Sequence, residues 1–137
     1  MLASCLFIIH TDGLKYRVGD KLYDILSYKM DWSSHRNVSC FLNPKQKPED
    51  YKNCPDKIDN NTLMFWGDSH AAHLISGFVK KNHGYKGIVE RTGSMCPPLL
   101  GADIPERPYC KETNEYIIDE IRNHKPDGVI LSAADIS

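Results

Sequence analysis

The sharpest change from apolar to polar along this chain falls within residues 62–74. Leu63-Met64-Phe65-Trp66 is an unbroken apolar run of strand length, and it stops at Gly67. The polar turn Asp68-Ser69-His70 follows. An apolar pattern of helical spacing then starts at Ala71 and continues through Ala72, Leu74, Ile75, Phe78 and Val79. An all-apolar run suits a strand covered on both faces. The segment therefore predicts a strand, a tight turn and a helix packed on a sheet, ending near Asn82-His83-Gly84. Upstream, Asp20 precedes Leu22, Ile25, Leu26 and Met30 at helical spacing, which predicts a helix over about 21–32. From Ser33 to Asn61 the chain turns to Asn, Lys, Pro, Asp and Ser, which reads as irregular structure in need of an external constraint. Downstream, Gly87 to Glu90 predicts a short strand running into a polar turn, Arg91-Thr92-Gly93-Ser94. Cys96-Pro97-Pro98 opens a loop to Cys110, because proline continues neither a helix nor a central strand. A helix is predicted over 112–123, with Ile117, Ile118 and Ile121 inward, and a third strand at Val129-Ile130-Leu131. Strands alternating with helices in this way predict an α/β fold, a parallel sheet with flanking helices.

Composition narrows the class. With 137 residues, 41% hydrophobic and 26% charged, the chain can bury one core. Its net charge of −1, with both signs interspersed, provides no basic surface, so no nucleic acid partner is expected. Four of its five cysteines fall into two sequential pairs with identical separations, and no Cys-x-x-Cys occurs. That favours disulfides Cys40–Cys54 and Cys96–Cys110 formed in an oxidising compartment, the first of them constraining the irregular stretch. Free buried thiols in a cytosolic protein are the alternative. Cys5 is left over. The apolar Leu2–Ile9 falls short of the ~20 residues that span a bilayer, and reads as the end of a membrane helix or as a buried edge strand.

Ser69 carries the candidate chemistry. In a strand-turn-helix unit the turn lies at the C-terminal edge of the sheet, beside the free N–H groups of a helix start. A serine there is either a helix cap or a nucleophile. Gly67-Asp68-Ser69-His70 resembles the nucleophile block of SGNH (GDSL-like) hydrolases, in the form typical of SGNH domains fused to acyltransferase-3 membrane proteins. Phe65-Trp66, Ala71-Ala72-His73-Leu74, Ser94-Met95-Cys96-Pro97-Pro98-Leu99 and Thr11-Asp12-Gly13-Leu14-Lys15-Tyr16-Arg17 look like the same subfamily.

The resemblance implies part of an SGNH hydrolase fold, flavodoxin-like and three-layered, preceded by an N-terminal linking extension. The expected limits are 1–19 for the end of a membrane helix and its exit segment, 20–61 for a helical, disulfide-looped extension, and 62–137 for the N-terminal part of the SGNH domain. It implies an O-acyltransferase, acetyl being the expected group. Such a protein acts on extracytoplasmic carbohydrate such as surface polysaccharide, receives acyl groups through a membrane acyltransferase domain, and is anchored by N-terminal helices outside this chain. A free-standing SGNH esterase and a non-catalytic, disulfide-stapled glycan-binding module are the alternatives. Ser69 is the expected nucleophile and first oxyanion donor, Gly93 a second donor by place, and Asp68 the residue that orients the turn. The family's asparagine after the third strand is absent, the chain reading Ser132-Ala133-Ala134-Asp135. Its base, a histidine in Asp-x-x-His, is absent too, since none of the six histidines has an aspartate three positions before it. That segment is expected beyond Ser137, and these residues alone are expected not to support efficient turnover. His70 is expected to direct its side chain away from Ser69. His70 and His73, at i and i+3, could hold a metal with Asp68, but a solvated or core-edge pair is the plainer reading. No metal and no cofactor is expected.

Overall fold

The structure, a computed structural model, describes residues 19–26, 39–81 and 84–134. The expectations for residues 1–18, for the remainder of the helix to residue 32, and for Asn82, His83 and Asp135 lie outside these. The chain divides into two compact units, residues 1–31 and 32–137. In the first, α1 (Asp20–Leu26) carries Leu22 exposed rather than turned inward. Among the described residues no helix is long and apolar enough to cross a membrane.

The second unit runs β1 (Phe41–Leu42), a 3-10 helix (Pro48–Asn53), β2 (Thr62–Gly67), α2 (Ser69–Lys80), β3 (Gly87–Gly93), α3 (Cys110–His124) and β4 (Gly128–Ser132). Its sheet has the order β1-β3-β2-β4, and every pair is parallel. This is the expected α/β architecture. Every residue of β2 is buried, because its two faces pack against different helices. Met64 and Trp66 lie in one cluster with Leu42, Val89 and Ile117 of α3. Leu63 and Phe65 lie in the other with Ile75 of α2, where the Phe65 ring meets Phe78 edge-on at 5.1 Å. The period-2 alternation of β2 thus separates two apolar layers, which accounts for its unbroken apolar sequence.

From β2 the chain crosses through α2 to β3 on one side, and from β3 through α3 to β4 on the other. The reversal places a crevice outside the C-terminal end of β2, where open parallel sheets bind ligands.

Several local expectations are corrected. The strand expected to end at Glu90 continues to Gly93, so Arg91 and Thr92 are not turn residues. Their polarity is absorbed inside the fold. Arg91 places a guanidinium fork on Glu120, Nε to Oε2 at 2.6 Å and Nη2 to Oε1 at 3.0 Å. Burial alone would lower the Arg91 pKa, but the hydrogen bonds and charge of Glu120 outweigh it and hold it above the ordinary value. The Thr92 hydroxyl donates to Glu90 Oε1 at 2.7 Å. In α2 the buried stripe is narrower than the sequence implied: Ala71, Ala72 and Ile75 are buried, while Leu74 and Val79 are exposed. The helix also stops earlier, at Lys80, and α3 is longer at both ends than 112–123.

The stretch read as irregular contains β1 and the 3-10 helix, held to the sheet by the Tyr51 hydroxyl, which donates to Thr92 O at 2.8 Å. The Cys40–Cys54 disulfide closes it, with 4.8 Å between Cα atoms, and Cys96–Cys110 closes the loop after β3, at 5.4 Å. Non-reducing peptide mapping is expected to recover these two pairs. Replacing Cys40 and Cys54 with alanine is expected to cost about 3 kcal/mol in urea unfolding, the value for a loop of this size. A crossed pairing, or an unchanged midpoint, would contradict the two-loop arrangement. The one cluster of potential metal ligands among the described residues, Cys40, Cys54 and Asp56, has its two sulfurs joined in that bridge.

Candidate functional site

The turn after β2 is shaped by contact with β4. Gly67 has φ 152°, and a Cβ built there would lie 1.9 Å from Ser132 O. Only glycine fits so close to a backbone carbonyl. Asp68, 5% exposed, then joins three segments. Its N–H donates to Ser132 O at 3.3 Å, its Oδ1 accepts from His70 N at 2.8 Å, and its Oδ2 accepts from Ala134 N at 2.8 Å.

This settles the cap. Asp68 is the N-cap of α2, so Ser69 is the first helical residue and its hydroxyl is not needed for that task. Its N–H belongs to the first turn, whose donors have no intrahelical acceptor and which carries the positive end of the helix dipole.

Half-buried Ser69 lines a cleft of about 290 Å³, with Asp68 and His70 beside it. Ser94, Met95 and Pro97, from the loop after β3, form another part of the lining, and Ile104 and Glu106 come from farther along that loop. Ala134, just past β4, completes it. The cleft therefore gathers the chain at the C-terminal ends of β2, β3 and β4, where the strand order places a crevice. His70 also lines this cleft, its Nδ1 3.3 Å from Asp68 Oδ1.

Gly93 ends β3, one register step beyond the Gly67–Thr92 pair. Thr92 and Ser94 donate their N–H groups toward β1, to Cys40 O and Leu42 O. By strand alternation the Gly93 N–H is directed to the β2 side. Gly93 is not among the positive-φ residues and does not line the cleft, whereas Ser94 does.

Two residues that shape the site carried no functional reading in the sequence. Arg107 is fully buried, and its guanidinium donates to the carbonyls of Leu42, Asn43 and Gln46; burial lowers its pKa. Asn114 is also fully buried and uses its whole amide. Oδ1 accepts from Trp66 Nε1 at 2.8 Å, and Nδ2 donates to Pro97 O at 2.8 Å and to Leu99 O at 3.0 Å. One side chain thus ties the strand that delivers Ser69 to the loop across the cleft. A polar residue three positions before Ile117 on the inward face of its helix was the available signal. Asn114→Asp keeps the shape and loses both donors, and is expected to cost about 2–4 kcal/mol in urea unfolding. A loss under half a kilocalorie would deny the amide this role.

Residues 39–135, more than half of the chain, match the family described as SGNH domain (fused to AT3 domains). The chain belongs to that family. No curated protein matches it. Among solved structures, the SGNH domain is similar to the periplasmic domain of a lipopolysaccharide acetyltransferase from Salmonella ser. Paratyphi A, with a TM-score of 0.59 and 23% identity. The match covers 90% of this chain and 47% of that one. The chain thus spans about half the length of that structure, and at this identity the likeness is one of fold.

Proposed function

We propose that this SGNH domain is part of an O-acyltransferase that passes acyl groups, acetyl foremost, to a hydroxyl of extracytoplasmic carbohydrate such as surface polysaccharide. Ser69 is the nucleophile. The observation that carries this reading is the division of labour in the turn: Asp68 caps the helix, and Ser69 stands in the cleft at the ends of three strands. Membership of a family fused to AT3 domains supports acyl transfer, and the acetyltransferase domain it resembles in fold supports acetyl and a glycan acceptor. Two disulfides fit an oxidising, extracytoplasmic location for a membrane-anchored protein, residues 1–19 being read as the end of a membrane helix and its exit segment.

In the reaction, Ser69 Oγ attacks the acyl carbonyl and gives up its proton to a base, as a serine at neutral pH requires. The negative charge that forms on the carbonyl oxygen is met by the N–H of Ser69. The base passes this proton to the departing donor, and the acyl group is left esterified to Ser69. A carbohydrate hydroxyl then attacks this ester, loses its proton to the same base, and leaves with the acyl group as Ser69 Oγ takes that proton back. The base that the family resemblance implies is a histidine in an Asp-x-x-His segment, and none of the six histidines here has an aspartate at that spacing.

The test is transfer itself. Supplied with p-nitrophenyl acetate and carbohydrate, the full-length gene product is expected to yield acetylated carbohydrate. Free acetate alone, at any acceptor concentration, would make the protein a hydrolase.

A further inference from the structure

We infer that the Ser69 cleft selects uncharged acyl groups and that Glu106 imposes this selection, an inference that rests on the cleft being the acyl site. Among the described residues lining the cleft the ionisable ones are Asp68, His70 and Glu106, and none is a lysine or arginine. Both Asp68 oxygens are held by backbone N–H groups at 2.8 Å, so that carboxylate is fixed at the base of the turn. Arg107 adjoins Glu106 in sequence but offers a ligand nothing. It is fully buried, and its guanidinium is directed to the carbonyls of Leu42, Asn43 and Gln46.

The rest of the lining near Glu106, Met95, Pro97 and Ile104, is apolar and suits a short hydrocarbon. An acyl group ending in a carboxylate, such as succinyl, would bring a negative charge beside Glu106 and Asp68 with no lysine or arginine among the described lining residues to meet it. Such an unpaired like charge is how a site rejects a ligand of otherwise suitable shape. Glu106 is the adjustable member, because it is exposed and its replacement leaves the turn untouched.

The experiment compares two esters of similar length, ethyl butyrate and monoethyl succinate, binding to the Ser69→Ala protein, which cannot consume them. Binding is read from the amide NMR signals of Ser94, Met95 and Ala134. At low salt, ethyl butyrate is expected to bind about tenfold or more tightly than monoethyl succinate, near-surface charges a few ångströms apart being enough for such a factor. The ratio should fall as salt rises, shrink at least threefold in Glu106→Gln, and reverse in Glu106→Lys. Equal affinities in the parent, or a ratio that neither Glu106 variant changes, would overturn the selection while leaving the cleft as the acyl site. If neither ester moves these signals, the acyl-site reading falls, and the inference with it.

Discussion

Ser69→Ala is expected to abolish acyl transfer by the full-length gene product, with turnover falling on the order of 10⁴–10⁶-fold, as when the nucleophile of a serine hydrolase is removed. The fold should survive, because Ser69 is only half-buried and the start of α2 is capped by Asp68 Oδ1. Thermal unfolding of the variant is therefore expected to match the parent. A variant that keeps most of its turnover would end the nucleophile assignment, and one that unfolds would show a structural role in its place.

Gly67→Ala is expected to act through the fold. Its methyl would fall 1.9 Å from Ser132 O and 3.1 Å from the Ala71 side chain, on a backbone with φ 152°. β4 cannot stay where it is, so the bond from Asp68 N to Ser132 O and the one from Ala134 N to Asp68 Oδ2 are both lost. The expected cost is about 3 kcal/mol or more in urea unfolding, from overpacking together with backbone strain. Gly77→Ala, in the middle of α2 with nothing within 4 Å of the new methyl, should instead stabilise by about 0.5–1 kcal/mol. Similar effects at the two positions would contradict the close approach of β2 and β4.

The contrast between these glycines shows what the sequence made legible. The strand-turn-helix around Ser69 could be read because an all-apolar run, a polar turn and a helical stripe are local patterns. The parallel sheet followed from their repetition, and the disulfides from the position of the cysteines. The polar core could not be read in the same way. Arg91 and Thr92 looked like a turn because nothing local announces Glu120, 29 residues on, as the partner that lets an arginine sit in a buried strand. Leu74 and Val79 looked inward because spacing alone does not fix the width of a buried stripe. The far side of the cleft depends on Asn114 reaching Trp66 and Pro97, contacts separated by 48 and 17 residues. The turn that carries Ser69 was therefore visible in sequence, whereas the pocket facing it was assembled by tertiary contacts.

Covalent capture of the acyl group tests the central assignment most directly. The full-length gene product is treated with p-nitrophenyl acetate in the absence of carbohydrate, quenched in acid within the first turnover, and mapped by peptide mass spectrometry. One acetyl group on Ser69, discharged when carbohydrate is added, is the result expected. Acetyl found on another side chain, or turnover that proceeds at the parent rate in Ser69→Ala, would contradict the assignment.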